Sequence, residues 1–312
     1  MKSRLISIAM ATYNGERHLT EQLDSIYAQT YKNIEVIVTD DCSNDGTVEI
    51  LQQYAESHGL KYFVNETNLG YVKNFEKTIS LCQGDYIALS DQDDIWEANK
   101  LELLIDNIDA DLLIHSDCAL IDERGKTIKP IWKGEIGFNM EVENLLFGNI
   151  VTGCTVLFKK ELLTTALPFP EGIAYHDWWL AICAAKDKRI HYLPLCLTQY
   201  RQHSNQASGM KTGRKHYILN RVLIDTKKRW NNIDTHRMTV FRKHLQNLLA
   251  VRSNSRLNQY SSVLNDAIRY FDDYLTHKLH FKMFYISMKY QRFIYPHKNP
   301  LFLKNILMDI IG

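Results

Sequence analysis

Three carboxylates fall within four residues, Asp91, Asp93 and Asp94, in the stretch DYIALSDQDDIW (Asp85–Trp96), directly after an apolar run. Like charges this close repel, and without a neutralising partner at least one is pushed toward its protonated form. One Asp suffices to cap the helix expected to begin near Glu97. Three at the end of a buried strand need counter-charge, and a divalent cation with oxygen ligands supplies it. A second cluster, TDDCSNDGT (Thr39–Thr47), sets Asp40 and Asp41 at another strand end. It imitates the first half of an EF-hand, but the closing Glu would fall on Gln52 and the loop follows a strand, so Asn44–Gly46 reads as a turn with a helix cap. YHDWW (Tyr175–Trp179) sets Asp177 between an imidazole and two indoles. It reads either as a capped helix start with a core behind it, or as a carboxylate beside an aromatic sugar platform, raised by apolar neighbours toward a general base. In YRQHSNQASG (Tyr200–Gly209), Arg201 and His203 offer a cation and an imidazole, which suits a metal-bound diphosphate.

The elements that must position these residues alternate. Strands are expected over Leu5–Ala11, Ile34–Asp40, Lys61–Val64 and Tyr86–Leu89, with helices over Glu16–Ala28, Gly46–Ser57 and Val72–Cys82. Such alternation predicts a mostly parallel sheet covered by helices on both faces, and ligands of such sheets bind beyond the carboxyl ends of the strands. The polar clusters all fall at those ends. Further strands are expected near Asp111–His115, Thr155–Lys159 and Ile190–Tyr200. Beyond Met210 the pattern is helical, with candidates at His216–Trp230, Arg237–Val251, Leu257–His277, Lys278–Phe293 and Leu301–Ile311.

The 312 residues carry a net charge of +1, but unevenly: residues 1–209 hold 18 Lys+Arg against 30 Asp+Glu, and residues 210–312 hold 19 against 6. A basic tail behind an acidic body points to an anionic surface as a partner. The six cysteines form no CxxC pair and read as reduced thiols of a cytosolic protein. Lys2 and Arg4 before LISIAMA imitate a signal peptide, but a buried first strand explains the run better. The longest uncharged run, Leu145–Phe158, is too short and too polar to span a bilayer.

Taken together, SIAMATYNGERHLTEQLDSIYAQTY, IEVIVTDDCSNDGT, NLGYVKNF and GDYIALSDQDDIW resemble, in content, order and spacing, the donor-binding half of the family 2 glycosyltransferases, inverting enzymes of the GT-A fold. The resemblance spans about residues 4–209, and SDQDDIW is most similar to bacterial rhamnosyltransferase-type members. It implies an α/β fold, a Rossmann-like nucleotide-sugar-binding domain at 1–209 and a helical C-terminal region at 210–312. It implies that Thr12, Tyr13, Asn14 and Glu16 line a nucleotide pocket, that Asp41 accepts from a pyrimidine base, and that Asn68 and Lys73 lie near the nucleotide or diphosphate. The family's DxD motif falls on Asp91-Gln92-Asp93. Asp91 is then at the ribose or the metal shell, Asp93 ligates Mn2+ or Mg2+, and His203 approaches from the far side. Asp177 falls on the catalytic base, although His176 stands where the family more often has Glu. Thr152, Gly153, His176 and Trp178 are expected to face the acceptor.

The implied donor is dTDP-rhamnose or a UDP-hexose, and the implied acceptor a glycan hydroxyl carried on a polyprenyl diphosphate, in bacterial surface polysaccharide synthesis. The basic amphipathic stretch KLHFKMFYISMKYQRFIYP (Lys278–Pro296) suits an anionic membrane, so a cytoplasmic protein peripheral on the inner face of the plasma membrane is expected. The alternative for the tail is packing or a homo-oligomer interface, and no nucleic-acid-binding module accompanies the charge. The rival readings are a sugar nucleotidyltransferase, which would show a Gly-rich phosphate loop after strand one, a receiver-like module, and a non-catalytic sugar-binding protein, which would have no use for Asp177.

Overall fold

The computed structural model describes residues 4–132, 141–147, 149–186, 189–203, 235–250, 260–275 and 289. The chain divides into two compact units: Met1–Ile136, Val151–Phe169 and Tyr175–Met210 form the first, and Gly137–Ile150, Pro170–Ala174 and Lys211–Gly312 the second.

The first unit is built on one sheet. β1 (Ile6–Thr12), β2 (Ile34–Asp40), β3 (Lys61–Val64) and β4 (Tyr86–Ser90) run parallel in the order β3-β2-β1-β4. β1 is buried along nearly its whole length, as a central parallel strand covered by helices on both faces must be. The apolar residues of α1 (Glu16–Tyr27) recur at helical spacing, and Leu19, Leu23 and Ile26 enter the core beside Val36, Val38 and Leu51 of β2 and α2 (Thr47–His58). α3 (Tyr71–Leu81) buries Phe75 and Ile79.

Past β4 the sheet becomes mixed. β5 (Ile95–Trp96) leads to α4 (Lys100–Asn107), followed by β6 (Leu113–Ile121), β7 (Thr127–Lys129), α5 (Val142–Phe147) and β8 (Val156–Lys159). After α6 (Leu163–Ala166) and α7 (His176–Ala185) comes β9 (Ile190–Arg201). β8 is antiparallel to both β4 and β6, β9 is parallel to β6, and β5 closes the order antiparallel to β9. The helix expected near Glu97 therefore starts later, because Ile95 and Trp96 pair with Gln199 and Thr198.

In the second unit, α8 (Thr235–Ala250) and α9 (Ser261–Leu275) lie where two of the tail helices are expected; they pack together, and Leu245 and Leu248 of one and Leu264, Ala267, Ile268 and Phe271 of the other are buried. The helices expected at His216–Trp230, Lys278–Phe293 and Leu301–Ile311 fall outside the described residues. No helix among the described residues is long and apolar enough to cross a membrane.

Candidate active site

The carboxyl ends of the parallel strands open into a cleft of about 310 Å³ lined by Thr12, Tyr13, Asp41, Asn68, Asp91 and Asp93, with Tyr71, Gln92, Tyr200 and His203 among the others. Carboxylates that do not line the cleft order the loops beside it. Asp40 is fully buried and accepts Thr12 Oγ1 at 2.8 Å, Ser43 N at 2.8 Å and Ser43 Oγ at 2.6 Å. Asp45 accepts the Thr47 N–H at 3.1 Å and Glu16 N–H at 3.2 Å, the turn-and-cap role expected of it.

Asp41 also works on backbone: Oδ1 accepts Leu69 N and Asn65 Nδ2 at 2.8 Å, and Oδ2 accepts Gly70 N at 2.9 Å. It pins the loop that starts α3 while still lining the cleft. Gln92 ties two neighbouring loops: Tyr13 N donates to its Oε1 at 2.8 Å and its Nε2 donates to Tyr13 O at 3.1 Å. A Cβ at Gly15 would sit 2.4 Å from Gln92 Oε1, so a side chain there obliges the Gln92 amide to move.

Of the expected nucleotide-binding residues, Thr12, Tyr13, Asp41, Asn68 and Asp91 line the cleft. Asn14, Glu16 and Lys73 are not among its lining residues. Asn14 Oδ1 accepts Asn44 N at 2.9 Å, the Glu16 carboxylate accepts Gly46 N, and exposed Lys73 pairs with Glu76 at 2.7 Å.

The acidic loop divides into two sides. His203 Nε2 and Asp93 Oδ2 are 2.6 Å apart on the cleft side, with Asp91 on the same wall. Two carboxylates and an imidazole make the oxygen-and-nitrogen donor set that Mn2+ or Mg2+ accepts, so these residues fit the ion that the resemblance implies. Burial, and then the charges of Asp94, Asp93 and Asp177, push Asp91 well above the usual carboxylate range.

Asp94 does not share this wall. It is fully buried, its Oδ1 accepts Arg201 N at 3.0 Å, and burial raises it to about 7. Behind it stands Lys100, also fully buried, donating to Cys154 O at 2.6 Å and Thr198 Oγ1 at 3.0 Å and lying 3.5 Å over the Trp96 ring. Burial lowers Lys100 to about 7, against the opposing pull of Asp94 and Asp91. The expectation that all three carboxylates face a metal is thus corrected: the protein meets part of their charge from inside.

Ligand atoms of Asp91, Asp94 and Cys154 do lie within 4.8 Å of one another. Burial holds the Cys154 thiol well above its ordinary value, which leaves a neutral S–H, and the Lys100 cation acts on both carboxylates. Asp94 and Cys154 are buried and do not line the cleft, whereas Asp93 and His203 do, so the cleft side is the side that an ion arriving with a nucleotide would meet. Arg201 is also turned away from the cleft. It is 1% exposed, and its Nε donates to Asp93 O at 2.7 Å.

Asp177 sits in the first turn of α7. Its Oδ2 accepts Gly153 N at 2.8 Å and its Oδ1 accepts Trp178 N at 2.6 Å. Gly153 has little room for a side chain, because a Cβ would meet His176 Nε2 at 3.1 Å and Asp177 Oδ2 at 3.5 Å. The Asp177 charge reaches Asp91 and Tyr71, both cleft residues. Of the expected acceptor-facing residues, Trp178 is fully buried, Gly153 is buried and His176 stacks 3.8 Å from Phe75, while Thr152 is half-buried. The exposed aromatics at the cleft are instead Tyr13, in the loop after β1, and Tyr71, the first residue of α3.

The chain is similar to several known proteins. An uncharacterized glycosyltransferase of Haemophilus influenzae is 28% identical over 255 residues, covering 72% of this chain and 77% of the relative. One from Methanocaldococcus jannaschii is 30% identical over 247 residues, covering 75% and 84%. Among solved structures, S. aureus TarS residues 1–349 in complex with UDP-GlcNAc superposes with TM-score 0.58 at 16% identity, covering 99% of this chain and 89% of that one. A Pyrobaculum calidifontis mannosyltransferase in complex with GDP-Man and Mn2+ gives 0.50 at 17%, covering 99% and 86%. Residues 7–163, half of the chain, match glycosyl transferase family 2, and the chain belongs to that family.

Proposed function

We propose that this glycosyltransferase transfers a sugar from a nucleotide-sugar donor to an acceptor hydroxyl with inversion, using a divalent metal. The observation that carries the reading is the convergence of Asp41, Asp91, Asp93 and His203 on one cleft whose wall feels the charge of Asp177. The fold neighbours solved with UDP-GlcNAc and with GDP-Man and Mn2+ support it. Asp91, Asp93 and His203 would hold the metal, which supplies Lewis-acid stabilisation of the leaving diphosphate.

We assign the base to Asp177, both of whose oxygens are fixed by backbone N–H groups. It would receive the acceptor's hydroxyl proton as that oxygen attacks the anomeric carbon from the face opposite the diphosphate, through an oxocarbenium-like transition state. Asp41 and Thr12 would hold the nucleoside end. A pyrimidine nucleotide is the preferred donor, dTDP-rhamnose or a UDP-hexose, and a lipid-linked glycan at an anionic membrane face the preferred acceptor. The basic stretch behind the membrane reading, and the Ser/Asn/Gly segment after His203, lie outside the described residues.

The test is nucleoside-diphosphate release from a panel of UDP-, dTDP- and GDP-sugars with Mn2+ or EDTA. Release from one donor, dependent on metal and lost in Asp93→Ala, is expected. Asp177→Asn is expected to bind that donor but turn over about 10²–10⁴-fold more slowly. No metal-dependent release from any donor, with no thermal shift on adding UDP or dTDP, would overturn the reading.

A further inference from the structure

Arg201 is the last residue of β9 and lies two positions before His203. Its guanidinium, buried beneath the turn between β6 and β7, reaches three separate segments. Nε donates to Asp93 O at 2.7 Å, Nη2 donates to Glu21 Oε2 of α1 at 2.5 Å, and Nη1 donates to the carbonyls of Asp122 and Glu123 at 3.3 Å. The Arg201 backbone N–H meanwhile donates to Asp94 Oδ1. Asp93 is therefore held from both sides: its own carbonyl is fixed by the guanidinium, and the next side chain by the Arg201 amide. What remains free to face the cleft is the Asp93 carboxylate, opposite His203 at 2.6 Å.

We infer that Arg201, anchored by Glu21, is a positioning residue that holds Asp93 and His203 together on the cleft wall, where they would bind a divalent ion. The inference rests on the proposed metal role of Asp93 and His203. Arg201 delivers both members of the pair, one through a side-chain bond to the acidic loop and one through the chain itself. A planar fork with fixed donor directions can satisfy a carboxylate and three carbonyls at once, whereas a lysine offers a single ammonium that cannot span them. Partners of this kind behind a metal ligand govern affinity by fixing the ligand's orientation. Glu21 is the accessible end of the arrangement, with 54% of its side chain exposed, so it can be altered without opening the core.

The experiment measures Mn2+ binding by electron paramagnetic resonance in the presence of UDP, and UDP binding by calorimetry in EDTA. The proteins are the wild type, Glu21→Ala, Glu21→Gln, Arg201→Lys and Asp93→Ala. Arg201→Lys is expected to weaken Mn2+ binding by about 10–100-fold and Glu21→Ala by about tenfold. Glu21→Gln, which keeps the acceptor, is expected to recover most of that loss. UDP affinity in EDTA is expected to stay within about twofold of wild type, a separation that general loosening of the fold would not produce. Should Arg201→Lys fail to fold, the Glu21 variants carry the test. Wild-type Mn2+ affinity in Glu21→Ala, alongside its loss in Asp93→Ala, overturns the positioning role alone. Wild-type affinity retained in Asp93→Ala removes the metal assignment, and the positioning role with it.

Discussion

Asp93 and Asp94 are neighbours in sequence and of one residue type, yet they live in different surroundings. Asp93 faces the cleft with an imidazole 2.6 Å away. Asp94 is sealed inside, bonded to the Arg201 amide and held in the field of Lys100. The comparison shows that an acidic cluster can be neutralised from two directions. One side is enclosed by the fold, where burial draws Asp94 up and Lys100 down, each to about 7, and the other is left for a ligand. Crowded carboxylates therefore signal a metal less directly than their number suggests, and the side each one faces carries the information.

The comparison makes the inner side responsible for stability and the outer side for ligand-dependent behaviour. The largest effect is expected at Lys100. Lys100→Met leaves the buried Cys154 carbonyl without its Lys100 donor and removes the charge that acts on Asp94, a loss of about 1–3 kcal/mol, read as a lower urea midpoint with or without Mn2+. A midpoint equal to wild type would break the distinction between the sides.

On the outer side the sign reverses. Asp91 is raised well above its usual range, first by burial and then by its acidic neighbours. A carboxyl that binds its proton more tightly when folded stabilises the fold below the unfolded value, and that contribution is lost as pH rises through the folded value. Metal-free protein at pH 8 therefore carries a penalty at Asp91. Asp91→Asn is expected to be more stable than wild type in EDTA at pH 8, by about 1 kcal/mol or more. The gain should shrink toward pH 4 and narrow when Mn2+ is added. An unchanged or lower melting temperature in EDTA would show that Asp91 belongs with the inner side.

The effect smallest at neutral pH sharpens the contrast from outside the loop. His176 stacks on Phe75, neither of its ring nitrogens has a hydrogen-bond partner among the described residues, and burial lowers it from 6.5 to about 3. Between those values the unfolded chain holds the extra proton, so stability falls as pH drops, by about 1.4 kcal/mol per pH unit. His176→Phe should flatten that slope by one proton between pH 6 and pH 4, with little change at pH 8. An identical slope in the variant would mean that other groups set the acid limit.

The parallel half of the sheet was legible because its strands are buried on both faces and so read as apolar runs, as in ISIAMAT and IEVIVTD. The carboxyl-end loops were legible for the same reason, since polar residues cluster where those runs stop. β5 was not, because two residues inside an acidic turn become a strand only by pairing with Thr198 and Gln199, about a hundred positions away. Lys100 reads as a surface residue, and its burial is created by the Cys154 carbonyl, Thr198 and the Trp96 ring, which are far from one another in sequence. Arg201 was legible as a cation at the site, but not its direction, which depends on carbonyls from the acidic loop and the β6–β7 turn. Tyr71 and Trp178 show the same limit. Aromatic character is written in the sequence, whereas which ring meets solvent follows from how the helices dock.

The amide of Gln92 takes both hydrogen-bonding groups of Tyr13 across a gap of 79 positions, and its oxygen occupies the space that any Cβ at position 15 would claim. The middle residue of Asp91-Gln92-Asp93 and the glycine of the first loop therefore share one space. A side chain at 15 displaces the Gln92 amide and frees the first loop from the second. An attempt to change donor preference by exchanging either loop alone separates two halves that fit only each other, so the productive exchange moves residues 13–15 and 91–93 as a set.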